Sequence, residues 1–291
     1  MWTSPTRHTV GSMTAVPNLS LSAGTTTIEI PQLGFGVWQV PEEEVVDAIT
    51  TAIETGYRSI DTARLYGNER GTGEAIAKAP VPREELFVTT KVWNDDHGFD
   101  STIAAFEGSM QRLGLETLDL FLIHWPAPKQ DKYVDTWKAL LRLREEGRVR
   151  AVGVCNFHVP HLQRLLDETG ELPAINQVEL HPYLQQTELR EFHAANGIVT
   201  EAWSPLASGG DVLADETIAK VASKHGVTPA QAILRWHLDI GNVVIPKSVT
   251  PSRIRENFDI FGFALDADDL AAIATLDRGF RTGPDPDAFG A

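Results

Sequence analysis

Short apolar runs recur along the chain, separated by segments that mix apolar and charged positions. The clearest are residues 118–124 and 149–155, where most positions are apolar, as in a β-strand that is buried on both faces. Eight such runs predict strands. They cover residues 32–37, 58–61, 86–93, 118–124, 149–155, 175–180, 198–203 and 242–245.

The segments between these runs have the spacing of amphipathic helices. Two apolar faces show it: Ile103, Phe106, Met110 and Leu113 in one segment, and Val134, Trp137, Leu140 and Leu141 in the next. Thr-Pro pairs at 228–229 and 250–251 predict helix starts, because threonine caps a helix and proline suits its first position. Strand–helix alternation predicts a parallel sheet, and eight units favour an α/β fold of the (β/α)8 TIM-barrel type over an open doubly wound sheet.

The start of the chain departs from this alternation. Residues 19–21 and 27–30 flank Ala23-Gly24, a pattern that predicts a β-hairpin, which we expect to cap the barrel bottom. We expect residues 1–17 to form a disordered extension. No Pro/Gly/Ser-rich linker divides the rest, so residues 18–291 are predicted to form a single domain.

The charge and amino-acid composition of the chain exclude several classes of function. The chain has 291 residues, with 25 Lys+Arg against 40 Asp+Glu and a net charge of −15, which argues against nucleic acid and anionic membranes as partners. No apolar run approaches the ~18 residues of a membrane span, and the polar N-terminus lacks the apolar core of a signal peptide. A single cysteine, Cys155, excludes internal disulfides and Cys-based zinc sites. We expect a cytoplasmic monomer.

Polar residues end several of the apolar runs. Asp61, Lys91 and His124 end the second, third and fourth, and Tyr66 follows shortly after Asp61. Active groups of a barrel lie at the C-terminal ends of its strands, so these side chains are expected at one rim. A lysine beside a tyrosine favours the phenolate, and an aspartate is the natural partner of that lysine. Taken singly, Asp61 also suits a turn and Tyr66 a half-buried packing position.

Six short motifs carry a resemblance to a known family. They are Asp61-Thr62-Ala63, Tyr66-Gly67-Asn68-Glu69, Thr90-Lys91-Val92-Trp93, Leu122-Ile123-His124-Trp125-Pro126, Asn176-Gln177-Val178-Glu179-Leu180-His181-Pro182 and Ile245-Pro246-Lys247-Ser248-Val249-Thr250-Pro251. In this order, and at the predicted strand ends, they resemble the aldo-keto reductase superfamily from about residue 19 to residue 276. The chain is similar to the bacterial branch that reduces diketo-gluconate and methylglyoxal.

The resemblance implies an NADPH-dependent oxidoreductase that reduces aldehydes and ketones: small carbonyls, dicarbonyls or keto-sugars. Tyr66 is then the general acid, Lys91 paired with Asp61 depresses the pKa of Tyr66, and His124 positions the substrate carbonyl. Hydride passes from C4 of the nicotinamide while Tyr66 protonates the oxygen. Alcohol oxidation with NADP⁺ stays open. So does a non-catalytic, nucleotide-sensing subunit on the same fold.

The cofactor prediction has partly independent support. No Gly-x-Gly-x-x-Gly or P-loop motif is present, yet Lys247, Ser248 and Arg253 surround a predicted helix start, a combination that suits an anion. By resemblance this is the pocket of the NADPH 2′-phosphate. The full predicted cofactor set is Asn156, Gln177, Trp203, Ser204, Pro205, Leu206, Lys247, Ser248, Val249, Thr250, Arg253, Glu256 and Asn257.

Within that set, the resemblance gives particular contacts. Trp203 would stack on the nicotinamide, Asn156 and Gln177 would bind its carboxamide, and Glu256 with Asn257 would face the adenine. Cys155 stands where the family commonly has serine. Trp38, Trp93 and Trp125, with His124, would line the substrate site. No metal is expected, because the histidines at 158 and 161 match no metal-ligand spacing and suit a helix start.

Overall fold

The computed structural model describes residues 16–290, and its main feature is a parallel eight-stranded sheet. Most of the predicted extension, residues 1–15, lies outside the described residues. The strands of the sheet are β3 (Phe35–Gly36), β4 (Ser59–Asp61), β5 (Phe87–Val92), β6 (Leu118–Ile123), β7 (Val149–Cys155), β8 (Ile175–Glu179), β9 (Val199–Trp203) and β10 (Val243–Val244). Each pairs in parallel with the next, from β3 to β10.

The sheet closes on itself between its first and last strands. Leu33 forms a parallel bridge with Val244, the Gly34 N–H donates to the Val244 carbonyl over 2.9 Å, and the Val244 N–H donates to the Gln32 carbonyl over 2.9 Å. The predicted (β/α)8 barrel is therefore confirmed. Both closing strands, β3 and β10, are two residues long and shorter than the apolar runs predicted.

Helices surround the barrel. They are α1 (Glu42–Thr55), α2 (Glu69–Ala77), α3 (Phe99–Leu113), α4 (Tyr133–Glu145), α5 (Val159–Thr169), α6 (Thr187–Asn196), α7 (Glu216–His225), α8 (Pro229–Asp239), α9 (Pro251–Phe258) and α10 (Ala267–Ala274). The predicted apolar faces of α3 and α4 pack inward, with Phe106 and Trp137 fully buried. Thr228 caps α8 through its hydroxyl, as predicted, whereas Thr250 precedes α9 without a side-chain cap bond.

The N-terminal hairpin consists of β1 (Asn18–Ala23) and β2 (Thr26–Pro31), with Gly24 at φ 73° in its turn. Its Leu21 and Ile30 are fully buried in one cluster with apolar residues of the barrel interior, among them Phe87 and Val243 at strand starts. The hairpin therefore caps the N-terminal end of the barrel, as predicted, and leaves the other end open. That residues 18–291 form a single domain stays a prediction.

Among the described residues, no helix combines the length and the apolar composition that crossing a bilayer requires.

Candidate active site

A cleft of about 1070 Å³ opens at the C-terminal ends of the barrel strands. Of the predicted site residues, Lys91 alone does not line it. The residues that do are Asp61, Tyr66, His124, Asn156, Gln177, Trp203, Ser204, Pro205, Leu206, Lys247, Ser248, Val249, Thr250, Arg253, Glu256, Asn257, Trp38, Trp93 and Trp125. Side chains scattered over nearly 220 positions thus meet in one cavity because parallel barrel strands end at a common rim.

Lys91 lies directly beneath the cleft, where it contacts both Asp61 and Tyr66. Its fully buried ammonium donates to Asp61 Oδ1 over 2.5 Å, to the Thr62 carbonyl over 2.9 Å and to Tyr66 Oη over 3.4 Å. The strands explain the placement: Asp61 ends β4, Lys91 is the last residue but one of β5, and Tyr66 sits in the short 3-10 turn after β4. A phenol hydroxyl is thereby held against a buried ammonium group.

The pKa values of this trio are set by burial and charge together. Burial would lower the pKa of Lys91, but the charge and hydrogen bond of Asp61, together with the influence of Tyr66 and Cys155, raise it by more, so the lysine keeps its proton. For Tyr66, burial raises the pKa and Lys91 lowers it, with burial the larger effect. Lys91 thus acts in the predicted direction, but the expectation of a depressed net pKa is wrong for this structure. Tyr66 is a protonated phenol at neutral pH.

His124 faces Tyr66 across the cleft. The two rings stand edge to face with centroids 5.6 Å apart, and Trp93 packs on His124 at 5.2 Å. Burial, followed by the charges of Lys91 and His97, holds the pKa of His124 well below its usual range. The imidazole is therefore neutral, and a neutral imidazole carries one N–H that can donate a hydrogen bond to a carbonyl oxygen.

The two predicted carboxamide ligands are held by bonds within the protein. Asn156, at φ 63° after β7, donates from Nδ2 to the His124 carbonyl over 3.0 Å and accepts from Trp203 Nε1 over 2.8 Å. Gln177 Nε2 donates to Asp61 Oδ2 over 2.9 Å and to Glu201 Oε2 over 2.8 Å. The amide NH2 of Gln177 is thus committed to Asp61 and Glu201. Its oxygen accepts a long bond of 3.9 Å from the Cys155 thiol, a weak donor, and has a second lone pair that a ligand can use.

Glu201 was not anticipated from the sequence. It lies inside β9, only 1% exposed, and accepts the Gln177 bond just described. Burial and then the nearby charge of Asp61 raise the pKa of Glu201 to about 8. A carboxylate in the middle of an apolar run was the available signal, because burying such a group is costly.

The cationic part of the cleft follows β10. Lys247 and Arg253 are both exposed, and in the described chain neither lies within 4.0 Å of a carboxylate. Ser248 Oγ accepts from the Thr250 N–H over 3.1 Å immediately before α9. Two cations at a helix N-terminus suit an anion, and the predicted role of Lys247 and Arg253 in binding the 2′-phosphate stays a prediction.

Aromatic rings line another part of the cleft. Trp38 is 48% exposed, whereas Trp125 is buried and packs against Phe289 with centroids 4.5 Å apart. The Phe289 ring also packs edge to face against Trp93, with ring centroids 6.2 Å apart. Phe289, like Thr282, Gly283 and Pro284, comes from the irregular C-terminal segment, where no periodicity marked it for the cleft.

The predicted helix start at the two histidines is confirmed. His158 caps α5, its N–H donates to His161 Nδ1 over 3.1 Å, and its own Nδ1 bonds Asp287 over 2.9 Å. The expected absence of a metal stays a prediction.

Comparison with known proteins identifies the family. The sequence profile described as "Aldo/keto reductase family" matches residues 20–278. The chain belongs to the aldo/keto reductase family. As a member of this family, it is 56% identical over 262 residues to the methylglyoxal reductase DkgA of Escherichia coli K12, a match covering 90% of this chain and 94% of that protein. It is 54% identical over 273 residues to an aldo-keto reductase of Mycolicibacterium smegmatis, covering 94% and 98%.

Solved structures of this family resemble the barrel closely. A mutant of Gox0644, crystallised in complex with NADPH, is 50% identical and superimposes with a TM-score of 0.89, covering 94% of this chain and 99% of that one. This likeness supports the fold described above and confirms the predicted aldo-keto reductase resemblance.

Proposed function

We propose that this aldo/keto reductase uses NADPH to reduce small carbonyl compounds to alcohols, with Tyr66 as the proton donor. The comparisons bear out the expectation of an NADPH-dependent carbonyl oxidoreductase. The observation that carries the assignment of roles is the position of Lys91 Nζ, 2.5 Å from Asp61 and 3.4 Å from Tyr66 Oη.

The donor set of the cleft fits NADPH. Lys247 and Arg253 offer cations beside Ser248 and the start of α9 that pair with no carboxylate among residues 16–290, and a guanidinium can bind a phosphate through two parallel bonds. We assign them to the 2′-phosphate, which distinguishes NADPH from NADH. Trp203 would present its ring to the nicotinamide and Gln177 its oxygen to the carboxamide. NADPH supplies the hydride when it is bound.

Side chains of the protein then orient the substrate carbonyl and donate the proton to its oxygen. His124, neutral because its pKa is low, donates a hydrogen bond to the carbonyl oxygen and orients it. As negative charge develops on that oxygen, Tyr66 donates its proton, and the ammonium of Lys91 stabilises the resulting phenolate. Asp61 keeps Lys91 charged and fixed. General acid catalysis of this kind typically contributes about 10²–10⁴-fold to the rate.

We propose small, uncharged dicarbonyls such as methylglyoxal as the substrate class. Trp38, Trp93, Trp125 and Phe289 give the substrate part an apolar lining. Within residues 16–290, the lysine and arginine side chains lining the cleft are Lys247 and Arg253, which the cofactor phosphate would occupy. No such cation then remains for a substrate carboxylate, so anionic keto-sugar acids should be poorer substrates. Relatives named methylglyoxal reductase agree with this assignment.

Isotope transfer tests the proposal. The protein is incubated with methylglyoxal and NADPH that carries deuterium at the transferable C4 position. We expect deuterium on the former carbonyl carbon of the alcohol product. Tight NADPH binding with no labelled alcohol from any member of an aldehyde and dicarbonyl panel would instead indicate the nucleotide-sensing, non-catalytic alternative.

We further propose that the protein acts as a monomer in the cytoplasm. Trp38, Leu65 and Val249 are large exposed apolar side chains that belong to the cleft, which leaves Phe99 and Phe280 as the others within the described residues. Two separate rings do not make the apolar patch typical of an obligate interface. Light scattering after size exclusion should give the monomer mass, and cell fractionation should place the protein in the soluble cytoplasmic fraction.

A further inference from the structure

The C-terminal tail, defined here as residues 277–290, forms one wall of the cleft without forming a helix or strand. At its start, the N–H groups of Arg278 and Phe280 donate to the Tyr183 carbonyl over 3.2 and 3.0 Å. Near its end, Phe289 packs on Trp125. Because the tail has no regular structure of its own, its path depends on what holds the residues between these points.

Glu179 is the buried group that holds the middle of the tail. It is the last residue of β8 and only 1% exposed. Its carboxylate accepts from the Thr282 N–H over 2.5 Å, from the Thr282 hydroxyl over 2.7 Å, from the Gly283 N–H over 3.0 Å and from His181 Nε2 over 3.0 Å. Three of these four bonds come from the tail, so a barrel strand is fastened directly to residues 282–283.

The pKa of Glu179 is that of a side chain that holds the tail in its charged form. Burial alone would raise the pKa of Glu179, but the bonds from His181, Thr282 and Gly283 lower it below its ordinary value. The group is therefore a carboxylate at neutral pH. Hydrogen bonds to an ionised acceptor are roughly twice as strong as neutral ones.

The anchored segment also touches the cofactor side of the cleft. A Cβ built on Gly283 would lie 2.5 Å from Trp203 Cη2 and 3.2 Å from Glu179 Oε2. Only a glycine therefore lets the tail backbone pass between the anchor and the Trp203 ring. From that fixed point the chain continues to Phe289, which closes the aromatic part of the cleft against Trp93 and Trp125.

We propose that Glu179 is a positioning residue for substrate size: by fastening the tail at Thr282 and Gly283, it keeps Phe289 over the aromatic part of the cleft and excludes carbonyl compounds with bulky substituents. This inference rests on the proposed function and deepens it. Glu179 touches neither the reacting atoms nor Tyr66, so its effect is on which carbonyl compound fits and not on the proton transfer.

Methylglyoxal and phenylglyoxal test this directly, because they share the dicarbonyl group and differ in a methyl against a phenyl. The measured quantity is the ratio of kcat/KM for phenylglyoxal to that for methylglyoxal. We expect Phe289→Ala to raise the ratio by about tenfold or more, as removal of a steric block in an apolar pocket does. Glu179→Gln should raise it in the same direction, since an amide cannot accept all the tail bonds.

Glu107→Gln is the matched control. Glu107 is a carboxylate on α3 whose side chain is 51% exposed and which pairs with Arg148, just before β7 begins, so it does not hold the tail and its loss should leave the ratio near that of the wild type. A raised ratio in Phe289→Ala but not in Glu179→Gln would overturn the anchoring role. An unchanged ratio in both, with methylglyoxal still reduced, would overturn the size limit itself.

Limited trypsin digestion gives a second readout that needs no turnover. Arg278 and Arg281 are cleavage sites in the tail, and we expect them to be cut faster in Glu179→Gln than in the wild type or in Glu107→Gln. Equal cleavage rates would contradict the anchor even if the protein proved inactive toward both dicarbonyls. Failure of the proposed function is thereby distinguished from failure of this inference.

Discussion

Replacing Glu201 with glutamine should stabilise the protein, and the gain should grow as the pH rises from about 5 to about 8. Glu201 is buried inside β9, where burial and the charge of Asp61 raise its pKa from 4.5 to about 8. Over that interval the folded protein keeps a proton that the unfolded chain has released. The unfolded state therefore binds fewer protons, and stability falls as the pH rises.

The magnitude follows from the two pKa values. Each pH unit between them costs about 1.4 kcal/mol from this one group, so the full interval amounts to at most about 5 kcal/mol. Glu201→Gln removes this cost because an amide does not ionise. Its oxygen can still accept the bond from Gln177. Below pH 4.5 both side chains are neutral, and the variant should match the wild type.

Thermal unfolding at several pH values measures the effect. In a chain of this size, each kcal/mol corresponds to about 2 °C in Tm. Glu179→Gln is the opposite control, because the pKa of Glu179 is lowered and its charged form stabilises the fold. That variant should lose stability at neutral pH. A difference in Tm between Glu201→Gln and the wild type that is the same at pH 5 and pH 8 would refute the reasoning.

Two further predictions concern the cofactor site and the barrel base. Arg253→Ala should weaken NADPH binding while leaving the Kd for NADH nearly unchanged. Arg255→Ala removes a cation on the same helix but outside the cleft, and it should alter neither Kd. Fluorescence titration measures the Kd of both cofactors, and equal losses of affinity for NADPH and NADH in Arg253→Ala would contradict the phosphate assignment. Leu21→Ala should cost about 2–5 kcal/mol in the free energy of unfolding, because the side chain is fully buried between hairpin and barrel. Urea denaturation checks it against Ser20→Ala, which should be near neutral.

The barrel and most of its rim could be predicted from the sequence. Alternating apolar runs and amphipathic segments encode strand and helix locally, and barrel geometry then brings the residues at the strand ends together. The sequence alone therefore indicates Asp61, Lys91 and His124 as site residues, and their motifs indicate the family. Glu201 left a signal too, as a carboxylate inside an apolar run.

The remaining features depend on distant contacts. The net pKa of Tyr66 is set by how deeply its hydroxyl is buried, a tertiary quantity that no local pattern records. Glu179 lies in a predicted strand, but its partners Thr282 and Gly283 are more than a hundred residues away in an aperiodic segment. Phe289 shares that segment. Its packing on Trp125 follows from the path of the tail and not from its sequence neighbours.

The rate of hydride transfer in a single turnover, with and without the Tyr66 hydroxyl, tests the central claim most directly. Wild type and Tyr66→Phe are each saturated with NADPH, mixed rapidly with methylglyoxal, and followed by the loss of reduced-nicotinamide absorbance. The account predicts that the variant binds NADPH with a similar Kd but transfers hydride about 10²-fold more slowly or worse. A transfer rate within a few-fold of the wild type would show that the proton comes from another group.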